Sequence, residues 1–380
     1  MTTHNAKQNY EKDFNLNDEL IHLNHAAVAP WPLVTQQAVQ EFATENTRIG
    51  SVNYLQWMQH EENLRQQLKL LINADSTSEI ALLKSTSEAL SVVAYGIDWQ
   101  PGDSVVSAAE EFPSNRLLWQ SLQRFGVDVR LVDYLPEDDA EQCIIDACDE
   151  STRLVSISAV QYGSGRRTNL LKIGDFCEQQ NILFCIDAIQ QLGALSFDVN
   201  KVKADFVAAD GHKWMLGAEG LALFYCRKKH LQTLKLNQYG WHMVENMHDF
   251  NSNEWTPADS ARRFECGSPN MLGIMALEAS LKLIHSIGMK TIEDQVLANT
   301  RYLLQQFSAM PELEILSPQA TAQQSGIVVV RHRKKSNEEL FEYLKQHHVL
   351  CAPRGGGIRF SAHYYTPATK LEQLVSLLDT

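Results

Sequence analysis

The chain has 380 residues, 44% of them hydrophobic and 21% charged, enough to bury a large core and to form two packed domains. Its 33 Lys+Arg against 46 Asp+Glu give a formal charge of −13, which repels phosphate backbones and anionic lipid surfaces and argues against nucleic acid or membrane partners. Seven scattered cysteines without a C-x-x-C pair, a polar N-terminus lacking the apolar core of a signal peptide, and no apolar run near membrane-span length point to a reduced, cytoplasmic protein.

Amphipathic patterns near 33–48 and 60–72 predict helices that wrap or bridge the two domains. From residue 79 onward, short β-branched runs alternate with amphipathic stretches. "EIALLK" precedes the helical "STSEALSVVAYGI", "DSVVSAA" precedes "PSNRLLWQSLQRFG", and "RLVSISAV" precedes "LLKIGDFCEQQN". The runs "ILFCID", "ADFVAAD" and "GLALFYCR" follow. This alternation predicts an α/β architecture with a mainly parallel sheet covered on both faces. "NMLGIMALEASLKLIHSIG" predicts a long helix, a second follows at about 291–309, and the remainder reads as a smaller α/β unit.

In open α/β sheets ligands bind beyond the carboxyl ends of strands, so the polar residues closing each apolar run are the candidates. "STSEA" opens a helix directly after a strand, where backbone N–H groups and the hydroxyls of Thr86 and Ser87 would cradle a phosphate. The same residues also suit a capping box with Glu88, and the two roles are compatible. Phe112 in "EEFPSN" would lie flat on an aromatic ligand or belong to the core. Gln161 in "VQYGSG" would donate to a ligand oxygen or serve a turn.

Asp187 ends one strand and Lys213 follows another in "ADGHKWMLGAEG", a pair that suits an aldehyde cofactor such as pyridoxal phosphate. Such a cofactor needs an amine whose pKa is lowered in a crowded, partly dry pocket. It also needs a carboxylate that keeps the pyridine nitrogen protonated, so that the ring can accept electrons. Taken singly, Asp187 could equally cap a helix and Lys213 could simply be solvated. Arg359 sits inside the apolar strand pattern "GGGIRFSAH", where an unpaired guanidinium is costly. It needs an anionic partner, either a substrate carboxylate or an internal Asp/Glu. The glycines 355–357 do not form a phosphate loop, and no clustered metal-ligand spacing stands out.

Together, "IHLNHAAVAP", "STSEA", "EFPSN", "VQYGSG", "CIDAIQQLGALSFDV", "DFVAADGHKWMLGAEGLALFY", "CGSPNMLGIMALEASL" and "IRFSAHYYTPATKLEQL" resemble, in order and spacing, the class V aminotransferase family. That family also contains cysteine desulfurases, kynureninase and isopenicillin N epimerase-like enzymes. The resemblance implies the fold type I architecture of pyridoxal phosphate enzymes and a homodimer with active sites near the subunit interface. It implies a segment 1–30 packing with the small domain and the site entrance, a large cofactor-binding domain over 31–288 and a small C-terminal domain over 289–380.

Residue by residue, Lys213 resembles the lysine that bonds the cofactor, and Asp187 the partner of its ring nitrogen. Gln161 stands for the residue near the phenolic oxygen and Phe112 for the one stacked on the ring. Thr86, Ser87 and His212 stand for phosphate contacts, Gln190 for a further pocket residue, and Ser268 for the phosphate contact given by the neighbouring subunit. Arg359 resembles the clamp on the substrate α-carboxylate, and His25, Ala26 and Tyr239 to Trp241 would line the entrance.

Two departures qualify the match. Asp210 stands three before the lysine, where the family often has a small hydroxyl residue, and a carboxylate beside a phosphate dianion is repulsive, so it is expected either to point elsewhere or to bond through a donor. Phe112 replaces the stacking histidine of the desulfurases, and the nearest thiol, Cys351 in "VLCAPRGGGIR", ends a strand rather than riding a long loop. The expected activity is therefore that of an aminotransferase acting on an α-amino acid. A cysteine or cystine C–S β-lyase, or a desulfurase-like enzyme, is the alternative, because the same carbanion can expel a β-substituent. A non-catalytic binding protein on the same fold is the third reading, but a pure binder would not need Lys213, Asp187 and Arg359 together.

Overall fold

The computed structural model describes residues 10–134 and 139–379, so residues 1–9 of the N-terminal segment lie outside the described residues. The N-terminal part supplies β1 (Ile21–His22) and two helices, α1 (Leu33–Ile49) and α2 (Tyr54–Ile72). A strand–helix series follows: β2 (Ile80–Leu83), α3 (Thr86–Gly96), β3 (Ser104–Ala108), α4 (Pro113–Gln120), β4 (Asp128–Val132), α5 (Ala140–Asp146), β5 (Thr152–Ser158), α6 (Leu170–Gln180) and β6 (Leu183–Asp187). Strands β7 (Phe206–Asp210) and β8 (Ala222–Cys226) complete this series before α7 (Met271–Ile287) and α8 (Met289–Ser308).

The seven strands pair in the order β2-β8-β7-β6-β5-β3-β4, all running one way except β8, which is antiparallel to both neighbours. Period-2 alternation explains why these strands are apolar throughout, since both faces are covered. Phe184 and Ile186 of β6 pack on one side with α2, α6 and α7, whereas Cys185 packs on the other with α3 and α4. Val207 and Ala209 of β7, and Phe206 and Ala208, divide in the same way. Helices α1 and α2 pack against α7, and α2 also against β2, so they cover the large sheet rather than bridge two units.

The last part of the chain builds a separate antiparallel sheet from β9 (Leu313–Ile315), β10 (Ile327–His332), β12 (Ala352–Arg354) and β13 (Gly357–Ser361), in the order β12-β13-β10-β9. Helices α8, α9 (Asn337–Gln346) and α10 (Ala368–Leu378) cover it around Leu303, Phe307, Val330, Leu344, Phe360 and Leu374. The short strand β11 (Val349–Leu350) pairs in parallel with β1, and the N–H of Ser361 donates to the carbonyl of Leu23, so residues 21–25 are stitched to this sheet. No single helix among the described residues is long and apolar enough to cross a membrane.

Beneath this junction lies a nest of neutral imidazoles. Nδ1 of His25 faces the carbonyl of Ser361 at 2.8 Å and must donate, which leaves Nε2 to accept from the hydroxyl of Tyr365 at 2.6 Å. His363 gives Nε2–H to the carbonyl of Trp214 at 3.0 Å and accepts from the N–H of Tyr364 at 2.8 Å. Burial holds His22 and His363 down to about 4 and pushes His25 well below the usual imidazole range. Because the folded pKa lies below the unfolded value, these groups leave stability intact above about pH 6.5 and withdraw it as the pH falls toward 4. Glu111, pushed up to about 7 by burial, acts with the opposite sign, so the contribution of one imidazole is isolated by difference. On going from pH 7 to pH 5, the wild-type chain is expected to lose about 2 kcal/mol more than His363→Gln in urea unfolding.

Candidate active site

The carboxyl ends of β2, β5, β6 and β7 open together onto a cavity of about 390 Å³, closed on its far side by the β12–β13 hairpin. Ala26, Thr86, Ser87, Phe112, Asp187, Gln190, His212, Lys213 and Arg359 line it, which brings nine sequence-derived candidates into one place.

Asp187 closes β6 and is buried at the cavity floor. Its Oδ2 accepts from Nδ2 of Asn115 at 2.8 Å and its Oδ1 from the N–H of Ile189 at 3.0 Å. Burial raises its pKa, and these two donors together with the Lys213 charge only partly offset that. A buried acid with two oriented donors and no counterion in hydrogen-bond contact is suited to hold a proton on a ligand nitrogen. Lys213 sits in the turn after β7, its Nζ 5.8 Å from the centre of the Phe112 ring and without a hydrogen-bond partner among the described residues. Burial lowers its pKa to about 8, with Asp187 opposing and Arg359 assisting. An amine in that range is partly neutral near physiological pH, as a nucleophile requires. The ring of Phe112 itself is 42% exposed, leaving an aromatic face open to the cavity.

The cradle forms where α3 begins. Ser85 caps the helix by accepting from the N–H of Glu88 at 3.2 Å, and the Glu88 carboxylate takes the N–H of Lys84 at 2.6 Å. Capping leaves the Thr86 and Ser87 side chains at the cavity, with the positive end of α3 behind them. Thr86 Oγ1 accepts from the N–H of Asp210 at 2.9 Å, and Ser87 donates to Ser114 at 2.8 Å. Oδ1 of Asp210 lies 2.8 Å from Nδ1 of His212, but the two are not aligned as a hydrogen bond, and both buried atoms are without a hydrogen-bond partner among the described residues.

Arg359 has no carboxylate partner among the described residues. Its Nη1 donates to the carbonyl of Tyr162 at 2.8 Å, and its buried Nε has no partner. Of the two partners left open by the sequence, the internal one is absent. A guanidinium nitrogen buried without an acceptor beside a cavity is a site for an incoming anion.

Gln161, His25, Trp241 and Ser268 lie off the cavity wall, as do Tyr239 and Gly240. Gln161 is fully buried, its Nε2 donating to Glu111 at 2.8 Å and its Oε1 without a partner. His25 was expected at the entrance, but it is fully buried in the histidine nest because both ring nitrogens are consumed there. Trp241 lies outside the cavity lining, its indole N–H directed at Ser268 Oγ at 3.4 Å. Ser268 is exposed and does not line this chain's own cavity. Gln190 lines the cavity, yet its amide is spent on bracing, accepting from the Trp214 indole at 2.9 Å and donating to the carbonyl of Ala26 at 2.9 Å.

Sequence reasoning missed Asn115 and Glu111, although both stand in "EEFPSN". Glu111 is buried and accepts from the N–H of Ser158 at 2.7 Å, from the Ser158 hydroxyl and from Gln161. Cys351 is buried between β11 and β12, and burial pushes its thiol up to about 12, so it is neither accessible nor ionised near neutral pH. The described residues also bring Glu61, His242 and Glu265 together, but Arg65 bridges the two carboxylates and already supplies the positive charge.

The donor set matches pyridoxal phosphate part for part. There is an amine for the aldehyde, a buried carboxylate for the ring nitrogen, a free aromatic face for the ring, and a helix N-terminus with hydroxyls and an imidazole for the phosphate. The family model for class-V aminotransferases matches residues 21–374. A probable cysteine desulfurase of Methanothermobacter thermautotrophicus is 29% identical, over 98% of this chain and 97% of that protein. An uncharacterised aminotransferase of Bacillus subtilis, YcbU, is 28% identical over 89% of this chain and 88% of its own. The apo structure of a cysteine desulfurase from Thermococcus onnurineus superposes with a TM-score of 0.87 at 23% identity, covering 97% of this chain and 96% of the other.

Proposed function

We propose that this chain, which belongs to the class-V aminotransferase family and is a pyridoxal phosphate-dependent enzyme, transfers the amino group of an α-amino acid. The observation that carries the reading is the facing pair of Lys213, its amine lowered to about 8, and Asp187, a buried acid with oriented donors. Pyridoxal phosphate supplies an aldehyde for the substrate nitrogen and a protonated ring that accepts the electron pair left at the α-carbon. Every other task falls to the chain. Arg359 would clamp the α-carboxylate and so fix which bond at the α-carbon stands ready to break. Lys213, as a neutral amine, would take the α-proton and, as an ammonium, return it to a neighbouring carbon. Asp187 would hold the proton on the ring nitrogen, Phe112 would keep water from one face of the ring, and Thr86, Ser87 and His212 would bind the phosphate.

Ser268 of the partner subunit would complete the phosphate cradle in a homodimer. Two features support this: Ser268 is exposed without lining its own cavity, and α1 buries only Thr35 while presenting Leu33, Val34 and Ile49 to solvent. The seven free cysteines among the described residues suit a reducing cytoplasm.

The alternative, elimination of a sulfur substituent, is favoured by the desulfurase named among the relatives. Here Cys351 is too deeply buried to carry sulfur, so elimination would release it directly. The visible spectrum decides. Single L-amino acids added without a keto acid are expected to convert the bound cofactor stoichiometrically to pyridoxamine phosphate. An unchanged band with accumulating pyruvate and sulfide would replace this reading with the lyase.

A further inference from the structure

Arg359 is not the only guanidinium facing the cavity, because Arg354 lines it too, together with Ala352. In the β12–β13 hairpin Ala352 pairs directly with Arg359, and Arg354 pairs with Gly357. Residues two apart on a strand share a face, as do directly paired residues, so Ala352, Arg354 and Arg359 project from one side of the hairpin. Their paired neighbours on that face are small or apolar: the methyl group of Ala352, the side-chain-free Gly357 and, on β10, Val329 opposite Arg359. The hairpin turn is fixed in place. Gly355 has φ +63°, and a Cβ there would lie 2.0 Å from the carbonyl oxygen of Gly163, next to the Tyr162 carbonyl that accepts from Arg359.

Neither arginine has a carboxylate within ion-pair distance among the described residues. The hydrogen bond of Arg354 runs from Nη1 to the carbonyl of Pro353 at 2.9 Å, a weak hold for a full charge. The two cations oppose each other: after burial, the charge of Arg354 is what draws Arg359 down to about 10. One α-carboxylate answers only one of them, and a cofactor phosphate has its own donors at the start of α3. Building on the amino acid site proposed above, we propose that the substrate is an α-amino acid whose side chain bears a second anionic group. Arg354 holds that group while Arg359 holds the α-carboxylate.

The test is calorimetric titration of the holoenzyme with unreactive carboxylates: acetate, propionate and butyrate against malonate, succinate and glutarate. At least one dicarboxylate is expected to bind about tenfold tighter than its monocarboxylate counterpart. Arg354→Gln, a change at an exposed position, should abolish that preference and leave monocarboxylate affinity within about twofold, with Arg354→Lys retaining part of it. No preference in the wild type, or equal weakening of both ligand classes by Arg354→Gln, overturns the proposal. A chain that retains no pyridoxal phosphate after dialysis would instead sink the cofactor-based reading. The arginine pair is then judged by the same titration on the cofactor-free chain, where equal affinities count against it.

Discussion

Lys213→Ala is expected to lower turnover by at least about 10³-fold while leaving the chain folded. Nζ of Lys213 makes no hydrogen bond among the described residues, so its removal breaks none there, and burial already disfavours its charge. The variant should therefore unfold at the same temperature as the wild type or slightly above it, which separates loss of chemistry from loss of structure. Lys213→Arg should be as inactive as the alanine variant, because a guanidinium stays protonated and cannot take the α-proton. A small alkylamine added to Lys213→Ala should restore part of the rate, since the cavity then has room for it.

The amine can also be read directly. Competitive acylation of the cofactor-free chain should show Lys213 becoming reactive with a midpoint near pH 8, more than two units below exposed lysines. The sign follows from burial outweighing the attraction of Asp187. A midpoint above pH 10, or a Lys213→Ala protein retaining a tenth of the wild-type rate, would remove Lys213 from the reaction.

Much of this site was legible because the fold places chemistry at strand ends. The buried strands are mostly apolar runs of four to seven residues, and the polar residues that close them mark the carboxyl ends of the strands: Lys84 and Ser85 after β2, Asp187 at the end of β6, Asp210 at the end of β7. What escaped reading follows from the same logic. Glu111 and Asn115 lie just past the end of β3, where a polar residue looks solvated. Only the folded chain shows one turned toward Ser158 and the other toward Asp187. The burial of His25 depends on Ser361 and Tyr365, 336 and 340 residues away, which no local pattern records. Strand β4, "DVRLV", alternates charged and apolar residues at a sheet edge, and β1 and β9 are too short to show a period.

Asp187→Asn should separate the two states of this site in opposite directions. In the cofactor-free fold the carboxylate is a buried charge whose pKa is raised, so it stabilises the fold only when protonated and costs stability as the pH rises past its folded value. Asparagine removes that charge and keeps the shape, and the cofactor-free variant should melt at the wild-type temperature or higher. Its amide can still accept from either Asn115 or Ile189, though no longer from both with a full charge. Once the cofactor is bound the balance reverses, because the neutral amide cannot hold a proton on the ring nitrogen. The rise in melting temperature on adding pyridoxal phosphate should therefore shrink, and kcat should fall by about 10²- to 10³-fold. The cradle at Thr86, Ser87 and His212 is untouched, so the cofactor should still bind and the loss should appear in kcat more than in cofactor retention. A variant that keeps kcat within threefold would remove the Asp187 charge from the reaction. If Asp187 served only to order Asn115 and the start of α4, Asn115→Ala, which leaves the carboxylate in place but frees its Oδ2, should damage turnover as much as Asp187→Asn does. If Asp187 acts through its charge, Asn115→Ala should cost far less, because one donor is lost while the proton on the ligand nitrogen is still held.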